Sequence, residues 1–265
     1  MADERARSVQ EQYGRVAANY ATSTTHAIPT GLVHLSSVLA PLRRRFAVAV
    51  DVGTGAGHSA FDLAPLAEKV FAADITPEML EQVQRLRNER GLGNVATVQC
   101  AAEALPFEDA SVDLVASRTA AHHFTDARAW LAESARVLRA GGLLALADTV
   151  SPDDSAVAEW MHRVESWRDP SHGRNYSATQ WARMCEEAGL RVVEMADARV
   201  DLEYEDWVER AGMEAGSAGR LRNVFLMAGD AVRAAFGIEV SDAGVITFHW
   251  PMQVILAEKP PAPTA

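Results

Sequence analysis

Lysine is almost missing from this chain: Lys69 and Lys259 are its only two, and arginine carries the rest of the positive charge. Acidic residues outnumber basic ones 36 to 25, for a formal net charge of −11 at pH 7. That balance opposes binding to a bare phosphate backbone, where affinity rests on Lys and Arg neutralising phosphates, so nucleic acid is not an expected partner. The single basic cluster, Arg43-Arg44-Arg45, precedes a predicted strand and reads as a solvated helix end. Cysteine is scarce as well. Cys100 and Cys185 match neither a metal-ligand spacing nor a disulfide framework, and no metal is expected. No apolar run approaches the ~20 residues that cross a bilayer, which argues against membrane insertion. The N-terminal "MADERARSVQ" is charged and lacks the apolar stretch of a secretion signal, leaving a reducing cytoplasm as the default location.

What is present suits a soluble globular protein: 48% apolar and 23% charged residues over 265 positions, enough for one large domain with a full core. Val9, Tyr13, Val16, Ala17 and Tyr20 recur at spacings of three and four, which predicts an amphipathic helix. A short helical stretch over 30–42 follows. From Phe46 the pattern alternates: "FAVAVDV", "KVFAAD", "NVATVQCA", "SVDLVASR" and "LLALADTV" read as strands, with helical segments between them. Thr76-Pro77 supplies an N-cap and first-turn proline, and Gly141-Gly142 is expected to close the helix "RAWLAESARVL". Such alternation with apolar strands predicts a parallel sheet covered on both faces. Beyond residue 150 come an amphipathic helix around Val157, Trp160, Met161 and Val164, and a Ser177/Gln180 capping box. A sixth strand, a helical insertion and a final strand containing Pro251 complete the pattern; that proline predicts an edge or bulge position.

The stretch "DVGTGAGHSAF" at 51–61 sits between the first strand and the following helix. The dinucleotide fingerprint is G-x-G-x-x-G, whereas Gly53, Gly55 and Gly57 are spaced two and two. Glycine turns also serve merely to let a strand meet a helix. Asp74, at the end of the second strand, is placed to accept both hydroxyls of a ribose, in NAD or in any adenosine ligand. These residues point to an adenosine cofactor without choosing one.

The choice rests on "AAEALPFEDASVDLVASRTAAHHF", "ARVLRAGGLLALAD", "EQYGRVAANYATSTTHA" and "RDPSHGRNYSATQW". In this order they resemble a class I S-adenosylmethionine-dependent methyltransferase, in the branch that includes ubiquinone- and menaquinone-biosynthesis and other small-molecule enzymes. The likeness covers essentially the whole chain. It implies an α/β fold with a seven-stranded Rossmann-like sheet in order 3-2-1-4-5-7-6, the last strand antiparallel, under helical cover. As one domain over 1–265, it divides into N-terminal cover at 1–42, a cofactor-binding core at 43–150, acceptor-side cover at 151–188 and 204–236, and last strands at 190–201 and 244–259. The implied cofactor is S-adenosyl-L-methionine. Gly53, Thr54 and Gly55 would take its amino-acid end with Arg118 nearby, and Asp74 its ribose. Ile75, Met79, Ala102 and Glu103 would flank its adenine, and Tyr20 would close over it. Many relatives carry Asp where this chain has Ala101, which puts one adenine contact in doubt.

Methyl transfer from a sulfonium depends largely on alignment, and a base is needed only when the acceptor must lose a proton. His122 and His123, after the fourth strand, are the candidates for that base, with no ground for preferring one. Packing beneath the cofactor loop and capping the next helix are their structural alternatives. Arg168 and His172 of "RDPSH" are candidates to border the acceptor, against an Asp-Pro turn with a salt bridge. Trp160, Met161 and Trp167 are core candidates before they are pocket candidates, and His58 is a helix-start packing residue. The reading is transfer of a methyl group to a small-molecule acceptor, oxygen or carbon favoured. Its alternatives are an NAD-dependent oxidoreductase, and a methyltransferase fold using its cofactor structurally or in a cyclisation or rearrangement. Composition is silent on oligomeric state.

Overall fold

The structure is a computed structural model that describes residues 2–23, 25 and 32–261. Thr24, His26, Ala27, Thr30 and Gly31, parts of the N-terminal motif and of the predicted second helix, lie outside the described residues. Helix α1 (Ala2–Ala21) is followed by α2 (Leu35–Leu39) and then by strand β1 (Phe46–Val52). The αβ run continues as α3 (His58–Leu63), β2 (Ala67–Asp74), α4 (Pro77–Glu89) and β3 (Val95–Gln99). It ends in β4 (Val112–Arg118), α5 (Ala127–Val137) and β5 (Leu138–Thr149). The second half contains α6 (Ser155–Arg168), α7 (Ala178–Glu187) and β6 (Arg191–Glu203). Three helices follow, α8 (Tyr204–Arg210), α9 (Ala215–Leu226) and α10 (Asp230–Phe236), then β7 (Glu239–Val240) and β8 (Ile246–Glu258).

The sheet order is β3-β2-β1-β4-β5-β8-β6, with β8 antiparallel to both neighbours. This is the expected order; the short β7, which pairs with β8, is an additional strand. The inner parallel strands β1, β4 and β5 are largely apolar on both faces because helices cover both. Ala49, Leu114 and Ala145 face a layer containing Phe61, Met79 and Val83. Their neighbours Val50, Val115 and Leu144 face Trp130, Leu131 and Trp181. The period of two along a strand produces this split.

Two local expectations change. Gly141-Gly142 does not close α5, whose end is Val137 with the Leu138 N–H on Ser134 O. These glycines belong to β5, where the register with β4 shifts between Val112 and Leu114, and Gly141 takes a φ of 71°. Pro251 lies in an interior strand, with no bulge at that residue. Its carbonyl accepts from Val150 N at 3.0 Å, just past the last β5–β8 pair, Thr149 with Met252. In an extended strand N–H and C=O of one residue point to the same side, so the missing donor falls where β5 has run out.

A third apolar cluster closes the sheet's far end. Trp160, Trp207, Phe225, Phe236, Phe248 and Trp250 pack there on one another, joining α6, α8, α9, α10 and β8. The cover is thus a small core of its own, anchored on the extensions of β6 and β8. No helix among the described residues is long and apolar enough to cross a membrane. Cys100 and Cys185 are free thiols.

Candidate active site

One cleft opens along the carboxyl edge of β1, β2, β4 and β5, where open α/β sheets bind ligands. Its empty volume, including the mouth open to solvent, is about 1410 Å³. Every residue expected to hold a cofactor lines it: Tyr20, Gly53, Thr54, Gly55, Asp74, Ile75, Met79, Ala102, Glu103 and Arg118. So do His122, His123 and Arg168.

The glycine end is built by backbone. Gly53, Gly55 and Gly57 all have positive φ, at 69°, 52° and 92°, a region that side chains disfavour. Their surroundings differ. A Cβ on Gly53 would sit 2.6 Å from Ala120 Cβ, and one on Gly57 would sit 2.8 Å from the Phe61 ring. A Cβ on Gly55 would meet nothing within 4 Å among the described residues. Gly53 and Gly57 are therefore glycine for packing, whereas at Gly55 the backbone lies open to the cleft. Asp74 ties this turn to the next, its carboxylate accepting from Gly55 N at 2.8 Å and from Thr76 N at 2.9 Å. Burial raises the Asp74 pKa despite those bonds. Beneath the turn, Asp51 accepts from Thr54 Oγ1 and Ser59 Oγ at 2.5 and 2.6 Å, and burial pushes it up to about 6. Around the loop, Ile75, Met79 and Ala102 supply apolar surface, and the Glu103 carboxylate is occupied by the Asp126 N–H at 2.9 Å. These residues fit an adenosine ligand: an open glycine backbone, a carboxylate at the cleft wall and apolar surface beside it.

Farther along, side chains build the wall. His122 places Nδ1 2.6 Å from Asp148 Oδ1, and its own N–H donates to Asp148 Oδ2 at 2.9 Å. No hydrogen bond reaches its Nε2 among the described residues. Burial alone would lower its pKa, but the Asp148 carboxylate, with Glu165 and Asp169, outweighs burial and raises it above 6.5. His123 is held at both ring nitrogens, Nε2 by the Tyr13 hydroxyl at 2.8 Å and Nδ1 at 3.2 Å from Ser171 O. Burial, with His122 alongside, lowers its pKa. The structure separates two histidines that their spacing could not: His122 is oriented with one nitrogen unclaimed, and His123 is a strut engaged at both.

His172 does not line the cleft. It is buried behind His122, ring centroids 5.5 Å apart, because the "RDPSHGRN" turn folds under the histidine loop, with Gly173 and Arg174 N–H groups both on His122 O. Arg168 reaches the cleft, its Nε on Trp207 O at 2.8 Å and its guanidinium 4.9 Å from the Trp207 ring centroid. Of the apolar candidates, Trp160 and Met161 belong to the cover's core, and Trp167 is exposed, donating to Ser217 Oγ. His58 opens α3 and lines the cleft, with Nε2 3.1 Å from Tyr20 O.

Several residues here escaped the sequence reading. Asp148 is one; its signal was an acid inside the apolar strand "LLALADTV". Glu165, Asn175 and Thr149 form another group: Thr149 Oγ1 donates to Asn175 Oδ1 at 2.8 Å, and Asn175 Nδ2 donates to Glu165 Oε2. Burial pushes Glu165 up to about 7. Arg210, Trp207 and Trp250 also line the cleft, and nothing in their local pattern marked them.

Comparison with known proteins adds to this geometry. A family profile described as a methyltransferase domain matches residues 50–146, the stretch from β1 to β5. The chain is 34% identical over 195 residues to the uncharacterized methyltransferase YcgJ of Bacillus subtilis, covering 74% of this chain and 77% of that protein. The uncharacterized protein YafE of Escherichia coli is 35% identical over 187 residues, 71% of this chain and 90% of its own. The crystal structure of the B. subtilis protein superposes with a TM-score of 0.79 at 31% identity, covering 86% of this chain and all of the other. The [4+2]-cyclase SpnF shares the fold at a TM-score of 0.69 and 18% identity over 96% of both chains. With the strand order, the glycine turn and these relatives taken together, the chain belongs to the class I S-adenosylmethionine-dependent methyltransferase family.

Proposed function

We propose that this protein transfers a methyl group from S-adenosyl-L-methionine to an oxygen or carbon of a small-molecule acceptor, with His122 as the base. The observation that carries this reading is the oriented His122–Asp148 pair on the wall of the same cleft that the glycine turn opens into. When bound, the cofactor supplies a methyl group already activated on a sulfonium.

The chain's residues do the rest. Gly53, Thr54 and Gly55 offer backbone to the amino-acid end, with the Arg118 guanidinium in the same wall. The Asp74 carboxylate, fixed by two N–H groups, has lone pairs left for the ribose hydroxyls. Asp148 is a positioning residue: by accepting from Nδ1 it leaves Nε2 as the basic atom. Nε2 then takes the acceptor's proton as the methyl arrives. The α6 and α8 cover keeps that proton transfer away from bulk water.

The test uses S-adenosylmethionine labelled in its methyl group, with candidate metabolite fractions as acceptors. Label in a small molecule, lost in H122F but retained in H123F, supports the reading. A rearranged, unlabelled product with the labelled cofactor recovered intact would replace it, and NAD binding without S-adenosylmethionine binding would sink it.

A further inference from the structure

Beyond the cofactor end, the cleft holds two further guanidiniums that a neutral acceptor does not explain. Arg168 closes α6 and Arg210 closes α8, and both line the cleft around Trp207. Arg210 is 7% exposed, yet its Nε has no hydrogen-bond partner among the described residues. Its other contacts are Nη1 to Thr25 Oγ1 at 3.1 Å and to the Asp206 carboxylate, which is itself 54% exposed. Burial of an arginine with an unsatisfied N–H is costly unless something accepts from it. Burial and the neighbouring positive charge of Arg168 both work against the charged form of Arg210.

The carboxylates nearby are already taken. Asp169 accepts from Tyr13 and from Ser171, and Glu165 accepts from Asn175. Asp169 still supplies countercharge to Arg168, and Asp206 to Arg210, but no acceptor reaches Arg210 Nε among the described residues. The surface beside it is apolar: Val9, Leu32, Val200, Leu202, Trp207 and Trp250. The cofactor's carboxylate is not the obvious partner, because the glycine end has its own guanidinium in Arg118, close enough to Asp51 to offset part of the rise that burial causes there.

We infer that the acceptor is an amphipathic acid, its anionic head group held by Arg210 and Arg168 and its apolar body lying against Trp207, Trp250 and the β6 side chains. This rests on the methyltransferase reading for the same cleft. Planar guanidinium recognition suits either a carboxylate or a phosphate, through paired N–H donors. Trp207, sandwiched between the two arginines in sequence and covered by one of them, is the hinge between the polar and apolar parts of the site.

The test is calorimetric titration of the protein saturated with S-adenosylhomocysteine, using 2-naphthoate, 2-naphthyl phosphate and the neutral 2-naphthylmethanol. At least one of the two anions should bind roughly tenfold or more tightly than the alcohol, the size expected of charge-assisted hydrogen bonds, and the tighter one identifies the head group. R210M should remove the preference, R210K should retain part of it, and R210M should bind S-adenosylhomocysteine as the wild type does. Thermal melts confirm that both variants are folded; if R210M does not fold, R168M and R210K carry the same comparison. Equal binding of the alcohol and both anions overturns the proposal. So does a tenfold loss of S-adenosylhomocysteine affinity in R210M, since the guanidinium would then serve the cofactor. Failure of the wild-type protein to bind S-adenosylhomocysteine at all overturns the methyltransferase reading itself, and the acceptor assignment with it.

Discussion

The two ends of the cleft are made from different materials. At the glycine end a single turn, a strand end and the start of a helix supply backbone N–H groups, and one carboxylate locks two of them together. At the acceptor end the contacts that build the wall join residues far apart in sequence. His122 meets Asp148 across 26 positions, Tyr13 meets His123 across 110, and Arg168 reaches the Trp207 carbonyl across 39. Local geometry thus dictates the first site, whereas the second exists only once α1, α6 and α8 have docked. A turn of this kind recurs wherever the same motif is written. An assembled wall of side chains can be rebuilt around a new acceptor without disturbing the turn.

The largest effect should come from the acceptor end. H122F is expected to lower kcat by roughly 10²–10⁴-fold, the usual worth of a positioned base, while leaving S-adenosylhomocysteine affinity unchanged. In the wild type, the raised pKa of His122 means that the base form accumulates only above pH 6.5. The kcat profile should therefore rise through that range, and D148N should move the rise to lower pH. A profile that is flat in both proteins would remove His122 from the chemistry. At the glycine end, D74A should weaken S-adenosylhomocysteine binding by roughly tenfold to a hundredfold, from lost hydrogen bonds to a charged group. Calorimetry reads that value directly, and H122F is the control that should not share it.

Stability offers the next contrast. Glu165 has a folded-state pKa near 7 against 4.5 for the free group, caused mainly by burial. Its contribution to stability is complete below about pH 4.5 and is lost as pH rises through 7. E165Q keeps an oxygen for Asn175 without the buried charge. It should gain on the wild type by up to about 3 kcal/mol between pH 4.5 and pH 8, read from denaturant midpoints. The gain should vanish at the low end of that range. A further contrast separates two glycines. G53A should destabilise by roughly 2–4 kcal/mol, from left-handed strain plus the clash with Ala120. G55A should cost only the ~1–2 kcal/mol of strain, yet weaken cofactor binding, because its Cβ enters the open cleft. Equal melting points for the two would contradict the distinction between a packing glycine and a ligand-facing one.

Most of the fold was legible in the order of residues. The apolar strands, the Ser177/Gln180 box and the glycine turn are local signals, and each appears where its pattern put it. Gly141-Gly142 misled because two glycines after a helix look the same whether they end it or kink the next strand. The β4–β5 register decides between these, and register is a pairing property. Pro251 misled similarly: whether its missing N–H matters depends on how far β5 extends beside it.

For the site, sequence alone placed the glycine turn and the strand-end acid proposed to hold the methyl donor, because a loop of backbone amides and that acid lie within about twenty positions of one another and fold by local rules. It also placed two histidines at the sheet edge without ranking them. Tertiary structure alone decided that ranking, through Asp148 on a different strand and Tyr13 on a distant helix. It moved His172 behind the wall and brought Arg210 onto it. The physical reason is the same in each case. A side chain's chemistry depends on which charges and donors surround it, and those neighbours are chosen by packing across the chain rather than along it.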